Sequence, residues 1–385
     1  MVLLAASSLT LSACSDGSTI TAGPRDRTAI AAEEEASTTR GAILRRLSPN
    51  PTLSVSTVPA NGDVNPYGVA FVPDDFAAGG GPLMPGDILV SNFNNSSNSQ
   101  GTGTTVVRIS ASGQQSLFFQ GNQKLGLTTA LGVLRAGFVI VGNVPSTTPS
   151  ATCTQGTSGP ERGVSSGSLL ILDATGRVVS TLDNRTFLDG PWDLFVRDQG
   201  STAQVFVSNV LSGTVTRLDL AVSKSSVQVL AETPIASSYT HRCDPAALVV
   251  GPTGLAWDPT ADVLYVASTG DNAIYAVAHA STATSDNGKG SLVVNDATHL
   301  HGPLGLARAT NGDLIASQGD AVNPDPNQPS EIVEFTAQGQ FVSQFSIDSA
   351  PGSAFGLALM QTRTGFIFAA VDDGLNVLDI WKVRR

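Results

Sequence analysis

Six polar residues stand at the ends of short apolar runs, at intervals along most of the chain. They are Asn92, Asn143, Asn209, Thr269, Gln318 and Asp372. Neutral amides and a carboxylate offer the oxygen ligands that a hard cation such as Ca²⁺ prefers, so these residues are candidates for ligand binding. Amides at strand ends also commonly satisfy backbone groups that have no other partner. The residue types alone leave both interpretations open.

A second set of oxygen donors is concentrated in one polar segment. The segment GDAVNPDPNQPSE contains Asp320, Asn323, Asp325, Asn327 and Glu331. Such a density of oxygen side chains suggests Ca²⁺, although the spacing differs from the EF-hand loop and the central glycine of that loop is missing. Asn-Pro and Asp-Pro pairs also form rigid turns without any ion. Asp320 and Asp325 are therefore candidate calcium ligands, with turn formation as the alternative.

Three histidines lie in two successive polar segments. His241 is part of SYTHRCDP, and His299 and His301 are part of THLHGPLG. Imidazole is a common ligand of Zn²⁺, but a zinc site needs three or four well-aimed ligands, and only the His-x-His pair is local in sequence. Loop histidines that simply form hydrogen bonds are the alternative.

The elements that position these residues repeat along the chain. The stretch GPTGLAWDPTADVLYVAS, which begins at Gly251, contains a Pro-x-Gly start, an apolar strand, a turn and a second apolar strand. Equivalent start positions in the six copies are Gly68, Thr129, Asp193, Gly254, Gly305 and Gly356, spaced 51 to 64 residues apart. A third strand follows in each copy and a short fourth in most. Each copy therefore predicts one four-stranded blade of a β-propeller.

The last copy predicts how the ring of blades closes. Three strands precede Arg385, one fewer than a complete blade needs. Residues 52–58, TLSVSTV, alternate apolar and hydroxyl side chains as a half-buried strand does. We expect this segment to pair beside residues 376–383, which removes the open sheet edge. The predicted fold is all-β: a six-bladed β-propeller of four-stranded antiparallel blades, closed by an N-terminal strand that completes the last blade.

One segment carries a resemblance to a known family. LYVASTGDNAIYAV, which begins at Leu264, resembles the NHL repeat, and the chain as a whole resembles exported bacterial NHL-repeat proteins and lipoproteins. The resemblance implies the fold far more than an activity. It also implies that ligands bind on the top face, where the loops between blades meet the loops between second and third strands. The six polar strand-end residues are expected at this mouth of the central channel.

The first strand of each blade is expected to line the central channel. Gluconolactonase-type propellers, which are similar in using Asn and Asp, need a Glu in the inner strand of the first blade. Here that strand reads PYGVAF, residues 66–71, without an acid, so the comparison does not imply lactonase chemistry. Asp193 replaces the glycine of the third copy, beside Trp192. A carboxylate there could act as an acid or base, so Asp193 is the candidate catalytic residue, and acceptance of backbone N–H groups is the alternative.

The N-terminus predicts where the protein acts. Residues 1–14 form an apolar run that ends in LSAC, which resembles the bacterial lipobox with Cys14 as the lipidated residue. An ordinary secretory signal cleaved near Ala13 is the alternative. Ser15 follows the cysteine, which in the lipoprotein family implies sorting to the outer membrane. We therefore expect an exported protein of the cell envelope that contacts the membrane through a lipid anchor only.

The remaining chain divides into a tether and the propeller. Residues 15–50 are polar and lack apolar periodicity, which predicts a flexible tether, and residues 51–385 form the propeller. If Cys14 carries lipid, Cys153 and Cys243 are left in two predicted top-face loops. Exported proteins commonly pair such cysteines, so a disulfide between them is predicted, with two free thiols as the alternative.

Charge and composition limit the partners. The formal net charge of −11 excludes a typical nucleic-acid-binding protein, because such proteins need a basic face. The function expected from the sequence is an envelope-anchored propeller that binds a small molecule or an envelope protein through its top-face loops. The alternative is a metal-dependent hydrolase or lyase with Ca²⁺ or Zn²⁺ at the mouth of the channel.

Overall fold

The computed structural model describes residues 41–147, 153 and 163–384. The predicted signal peptide (residues 1–14), its Cys14 and residues 15–40 of the predicted tether lie outside the described residues. The described chain forms six four-stranded antiparallel sheets, as the sequence predicts, and one short hairpin. No helix in this part of the chain is both long and apolar enough for a membrane span.

The first three blades are built in chain order from inner strand to outer strand. Blade 1 contains β2 (Val64–Phe71), β3 (Ile88–Asn94), β4 (Thr105–Ile109) and β5 (Gln115–Gln120). Blade 2 contains β6 (Leu127–Leu134), β7 (Phe138–Asn143), β8 (Ser168–Asp173) and β9 (Val178–Leu182). Blade 3 contains β10 (Pro191–Asp198), β11 (Thr202–Asn209), β12 (Thr214–Val222) and β13 (Val227–Ala236). The small hairpin β14 (Arg242–Asp244) and β15 (Leu248–Val250) follows blade 3.

The other three blades follow the same order until the ring closes. Blade 4 contains β16 (Pro252–Asp258), β17 (Val263–Ser268), β18 (Ala273–Ala278) and β19 (Ser291–Val294). Blade 5 contains β20 (Pro303–Arg308), β21 (Leu314–Gln318), β22 (Glu331–Phe335) and β23 (Phe341–Ser346). Blade 6 contains β24 (Ala354–Thr362), β25 (Gly365–Asp372), β26 (Val377–Arg384) and, as its outer strand, β1 (Leu53–Ser56).

The ring is closed by strand β1, as the sequence predicts. It pairs antiparallel with β26, with Leu53 opposite Ile380 and Ser56 opposite Val377. The inner strand of each blade contacts the inner strand of the next, and β24 contacts β2. Closure of this kind leaves no long unpaired sheet edge at the junction of the two chain ends.

Glycine at the start positions lets the inner strands approach one another. A Cβ atom on Gly68 would lie 2.7 Å from the carbonyl oxygen of Thr129, and one on Gly356 would lie 1.8 Å from that of Tyr67. The inner strands are bulged at this level, so some backbone amides have no partner in the neighbouring strand. Ser91 Oγ accepts the amide of Gly68 at 2.9 Å, which accounts for a serine at this point of the second strand.

The N-terminal boundary of the ordered body differs from the prediction. A 3-10 turn at Leu44–Arg46 lies in the segment that the sequence assigns to the tether. Ile43, Leu44 and Leu47 are buried against blades 5 and 6. The amides of Ile43 and Leu44 each donate to the carboxylate of Glu334 at 2.9 Å. Three apolar side chains without helical periodicity are enough to anchor this segment when a preformed groove receives them.

Candidate functional site

The polar strand-end residues of blades 1–3 are buried and bind backbone atoms. Asn92 donates through Nδ2 to the carbonyl of Thr57 at 3.0 Å. Asn143 accepts the amide of Gly126 at 3.0 Å, and Asn209 donates to the carbonyl of Phe187 at 3.0 Å. Each side chain therefore holds the loop that leads into its own blade. These are the hydrogen bonds expected from the structural interpretation of the six residues; a role in ligand binding stays a prediction.

The corresponding residues of blades 4–6 are also buried. Thr269 donates to the carbonyl of Pro303 at 2.7 Å. Gln318 accepts the amide of His301 at 2.6 Å and donates to the carbonyl of His299 at 2.6 Å. Asp372 accepts the amide of Leu375 at 3.2 Å through Oδ1, while its buried Oδ2 atom has no hydrogen-bond partner.

Blade 5 carries a carboxylate where blades 1 and 2 carry a hydroxyl. The third strand starts with Thr105 in blade 1 and Ser168 in blade 2, but with Glu331 in blade 5. Glu331 is 1% exposed, and its Oε2 atom has no donor. Burial raises its pKa to about 7. His301 Nε2 lies 3.3 Å from Glu331 Oε1, so the Glu331 carboxylate faces a buried imidazole.

A pocket of about 300 Å³ opens on the top face between blades 5, 6 and 1. It is lined by Asn65, Tyr67, Gln100, Ala246, Ala247, Gly319, Asp320, Ala321, Pro351, Gly352, Phe355 and Asp373. Tyr67 and Phe355 pack with ring centroids 4.6 Å apart. The lining contains two carboxylates and two side-chain amides and lacks Lys, Arg and His.

Asp320 and Asn65 bring hydrogen-bond acceptors to this pocket. Asp320 Oδ2 accepts the amides of Gly352 at 2.8 Å and Ser330 at 3.2 Å, which joins two top-face loops. Its Oδ1 atom and Asn65 Oδ1 are buried and have no donor. Asn65 and Asp320 have φ angles of +59° and +51°, a left-handed conformation that is uncommon for non-glycine residues and in which Asn and Asp are enriched.

Asp373 is the most perturbed carboxyl of the pocket. Burial, reinforced by the charge of Asp372, raises the pKa of Asp373 to about 7. Burial also raises the pKa of Asp372, to about 6, with Asp348 and Asp379 adding like charge. A cation or a hydrogen-bond donor near Asp373 would lower its pKa, because it would stabilise the ionised form.

The predicted metal ligands do not converge. His241 Nδ1 lies 3.0 Å from the carbonyl of Tyr239, while His299 stacks on Phe341 and its Nδ1 lies 2.6 Å from Asp296. Asp325 accepts the amide of Asn327 at 2.9 Å within a turn. No group of three or more His, Cys, Asp or Glu side chains able to hold a metal occurs among residues 41–147, 153 and 163–384. The described residues therefore do not fit Ca²⁺ or Zn²⁺ through such a cluster.

Asp193 is separate from the top-face pocket. It borders the central channel below Trp192, where its amide donates to Ser208 Oγ at 3.1 Å. Its Oδ1 atom accepts the amide of Leu194 at 2.8 Å. Burial raises the pKa of Asp193 well above the usual range of an aspartate. The structure thus brings Asp193 together with none of the other predicted site residues.

The disulfide joins a top-face loop to the hairpin. Cys153 and Cys243, the pair that the sequence predicts, are bonded to each other, and Cys243 belongs to β14. Ala246 and Ala247 of the same hairpin line the pocket, and Gln100 donates to the carbonyl of Ala246 at 2.8 Å. Neither the hairpin nor the pocket residues Asn65, Gln100 and Asp373 were expected from the repeat.

Comparison with known proteins identifies the fold. No protein-family model and no curated protein sequence matches the chain. The chain is similar to the structure of a luciferin-regenerating enzyme at 11% identity and a TM-score of 0.50, over 86% of this chain and 96% of that one. It is also similar to regucalcin, a calcium-binding protein from Agrobacterium tumefaciens, at 12% identity and a TM-score of 0.48, covering 86% and 94%. A gluconolactonase from Xanthomonas campestris gives 14% identity and a TM-score of 0.42, covering 86% and 95%. At such identities the similarity extends to the fold alone.

Proposed function

We propose that this NHL-type six-bladed β-propeller is a binding protein whose top-face pocket takes a small polar organic cation. The occupant would place one or two ammonium groups against Asp320 and Asp373 and rest on the rings of Tyr67 and Phe355. Ammonium groups donate hydrogen bonds and are attracted to aromatic faces, so one ligand class satisfies both features of the pocket.

The observation that carries the proposal is the imbalance between acceptors and donors in the pocket. Asp320 Oδ1 and Asn65 Oδ1 are buried without donors, and Asp373 is a half-buried carboxyl with a raised pKa. Buried acceptors without partners are costly and rare in folded proteins, so a missing donor is the simplest account of them. The pocket volume of about 300 Å³ suits a small molecule rather than a protein segment.

The cellular setting remains part of this proposal. Export and attachment to the outer membrane through Cys14 would place the pocket in the cell envelope, where small cationic solutes arrive from outside. A partner of this kind is compatible with the net charge of −11, which raises the local concentration of cations.

The test is a binding measurement with 1,4-butanediammonium as the probe. Isothermal titration at pH 8 should show binding to the unmodified protein. Asp373→Asn and Asp320→Asn should each weaken it about 10-fold or more, because each removes a charge-assisted hydrogen bond. Asp183→Asn, which removes an exposed carboxylate of blade 2, is the matched control and should leave binding unchanged.

The pH dependence gives a second readout of the same site. Asp373 must lose its proton to attract a cation, so affinity should rise between pH 5.5 and 8, across its pKa of about 7. Absence of binding, or equal binding to all three variants, would refute the proposal. Stoichiometric Ca²⁺ or Zn²⁺ binding that depends on Asp320 and Asp373 would instead favour the metal-dependent enzyme.

A further inference from the structure

A second cavity, of about 530 Å³, occupies the lower part of the central channel. It is formed by the middle and later residues of the six inner strands, β2, β6, β10, β16, β20 and β24. Its lining has no residue in common with the top-face pocket. Cavities of this size are typical of small-molecule sites.

An aromatic layer closes the cavity on the side of the top face. The ring centroid of Tyr67 lies 4.8 Å from that of Phe93 and 5.9 Å from that of Trp192, and Phe355 completes the layer. The inner strands become more exposed in the opposite direction: Leu194 is 7% exposed, and Val196 is only half-buried. This gradient of exposure indicates that the cavity opens toward the bottom of the propeller.

Most side chains that line this lower cavity are apolar, while polar atoms, among them one carboxyl group, make up a comparable part of its surface. Its aliphatic and aromatic lining comprises Val69, Phe71, Leu131, Val133, Leu194, Phe195, Val196, Leu255, Trp257, Leu306, Leu357 and Leu359. Asp193 is the one carboxylate of this lining. The charged group of Arg308 pairs with Asp258 at 2.8 Å, so it neither neutralises Asp193 nor adds a free positive charge at the mouth.

The fold itself does not require a carboxylate at Asp193. Gly68 and Gly305 occupy the same level of blades 1 and 5, and their amides donate to Ser91 Oγ and Ser317 Oγ at 2.9 and 2.8 Å. The amide of Asp193 has the same kind of partner, the hydroxyl of a second-strand serine. The carboxyl group of Asp193 is an additional feature of blade 3, where it accepts backbone amides of Leu194 and Leu255.

The surroundings of this carboxyl lack a cation. Among the described residues, the groups that act on Asp193 are two backbone amides, those of Leu194 and Leu255, and the apolar walls that desolvate it. A carboxylate in a partly enclosed cavity attracts a cation more strongly than one on the open surface, because water screens the attraction less there. The aliphatic side chains around it favour a cation with an apolar body.

We propose that the lower cavity is a second binding site, specific for a monovalent organic cation with an apolar body, such as an alkylammonium ion. The ammonium group binds Asp193 beneath the aromatic layer, and the alkyl chain lies between the inner strands toward the bottom opening. The two ends of the channel thus take different amines: polar ones above and amphipathic ones below.

The experiment uses n-hexylammonium as the probe, with n-hexanol and n-hexanoate as uncharged and anionic analogues of the same length. Titration at pH 8 should show that hexylammonium binds most tightly and hexanoate least. Asp193→Asn should weaken hexylammonium binding about 10- to 100-fold, because a charge-assisted hydrogen bond is lost. Ala358→Phe, which fills part of the cavity and leaves the carboxyl in place, should also weaken it.

Asp183→Asn, which removes an exposed carboxylate of blade 2, is the matched control and should leave hexylammonium binding unchanged, while Asp373→Asn tests whether the probe binds in the upper pocket instead. Thermal unfolding of each variant establishes that it is folded before binding is compared. The proposal is overturned if hexylammonium does not bind the unmodified protein. It is equally overturned if Asp193→Asn and Ala358→Phe bind as the unmodified protein does, or if Asp373→Asn alone abolishes binding.

Discussion

Each blade has a joint on the top face, formed by the end of its second strand and the start of its third strand. The side chains at these joints differ in chemistry between blades 1–3 and blades 5 and 6. In the first three blades, buried amides such as Asn143 and Asn209 bind backbone groups of the preceding loop, and hydroxyl groups start the third strands. In blade 5 Glu331 starts the third strand, and in blade 6 Asp372 ends the second strand; each has a buried oxygen atom without a donor, as Asn92 Oδ1 does in blade 1. The strand ends of blades 1–3 thus carry neutral side chains, with the nearby carboxylate of Asp63 hydrogen-bonded to Thr104 and Thr105, whereas those of blades 5 and 6 include carboxyl groups close to a pocket.

This difference indicates that neutral joints stabilise the ring, whereas acidic joints are suited to binding a cation. A neutral amide can satisfy a donor and an acceptor at once, so it stabilises a joint without leaving charge behind. A buried carboxylate offers acceptors only, and its desolvation lowers the stability of the empty protein. The acidic joints therefore identify the part of the ring where an external cation has most to contribute.

The largest effect is expected at a neutral joint. Asn209→Ala should lower the free energy of unfolding by about 2–4 kcal/mol, because it removes hydrogen bonds that tie the loop at Phe187 and Asp189 to blade 3. Urea denaturation measures this loss. Asn122→Ala, in an exposed turn, is the control and should change stability little. An equally small effect of Asn209→Ala would contradict the conclusion that the neutral joints stabilise the ring.

The acidic joints should make the empty protein less stable as pH rises. The pKa of Glu331 is raised to about 7 and that of Asp372 to about 6. Two carboxyls outside these joints, Glu334 and the pocket residue Asp373, also have pKa values raised to about 7. Raised values favour the protonated folded state, so their contribution is complete near pH 4 and is lost as pH increases through 7. Stability measured by urea denaturation should fall between pH 5 and 8, with roughly 2–3 kcal/mol from each carboxyl whose pKa is near 7. A flat profile would contradict the assignment of charge to these joints.

A smaller effect of opposite sign is expected when one acidic joint is made neutral. Asp372→Asn should stabilise the empty protein by about 1–2 kcal/mol at pH 8 and not at pH 4, because it removes a buried charge near Asp348 and Asp379. Asp63→Asn is the contrasting variant in blade 1. Asp63 accepts two hydrogen bonds from Thr104 and one from Thr105, so its replacement should destabilise the protein. The comparison is contradicted if both substitutions raise the free energy of unfolding at pH 8, or if both lower it.

The repeat made the architecture predictable because it is local and is copied six times. Each Pro-x-Gly start corresponds to a bulged inner strand, and the alternation in residues 52–58 predicted the strand that pairs with β26. The pair Cys153 and Cys243 was predictable for a similar reason, since both residues fall in loops that the repeat directs to one face.

The pocket was not predictable because its residues come from loops with no shared pattern. Asn65 precedes an inner strand, Gln100 lies in a blade 1 loop, and Asp320 binds the amide of Gly352 across two blades. The segment from Ala42 to Leu47 is similar: its burial depends on Glu334, nearly 300 residues away. Such contacts follow from the closed ring and not from local propensity. Asp373 could have been noticed as a second acid beside Asp372, but its burial could not.

The position of strand β1 in blade 6 also determines when the ring can form. Its partner β26 spans Val377–Arg384, so these residues must be present before blade 6 is complete. Each of blades 1–5 is built from one contiguous stretch of chain, while Leu53–Ser56 pairs with a strand that lies far along the chain. Loss of β26 would therefore leave both β1 and β25 without their partner, so this one strand holds the two sides of the closure together.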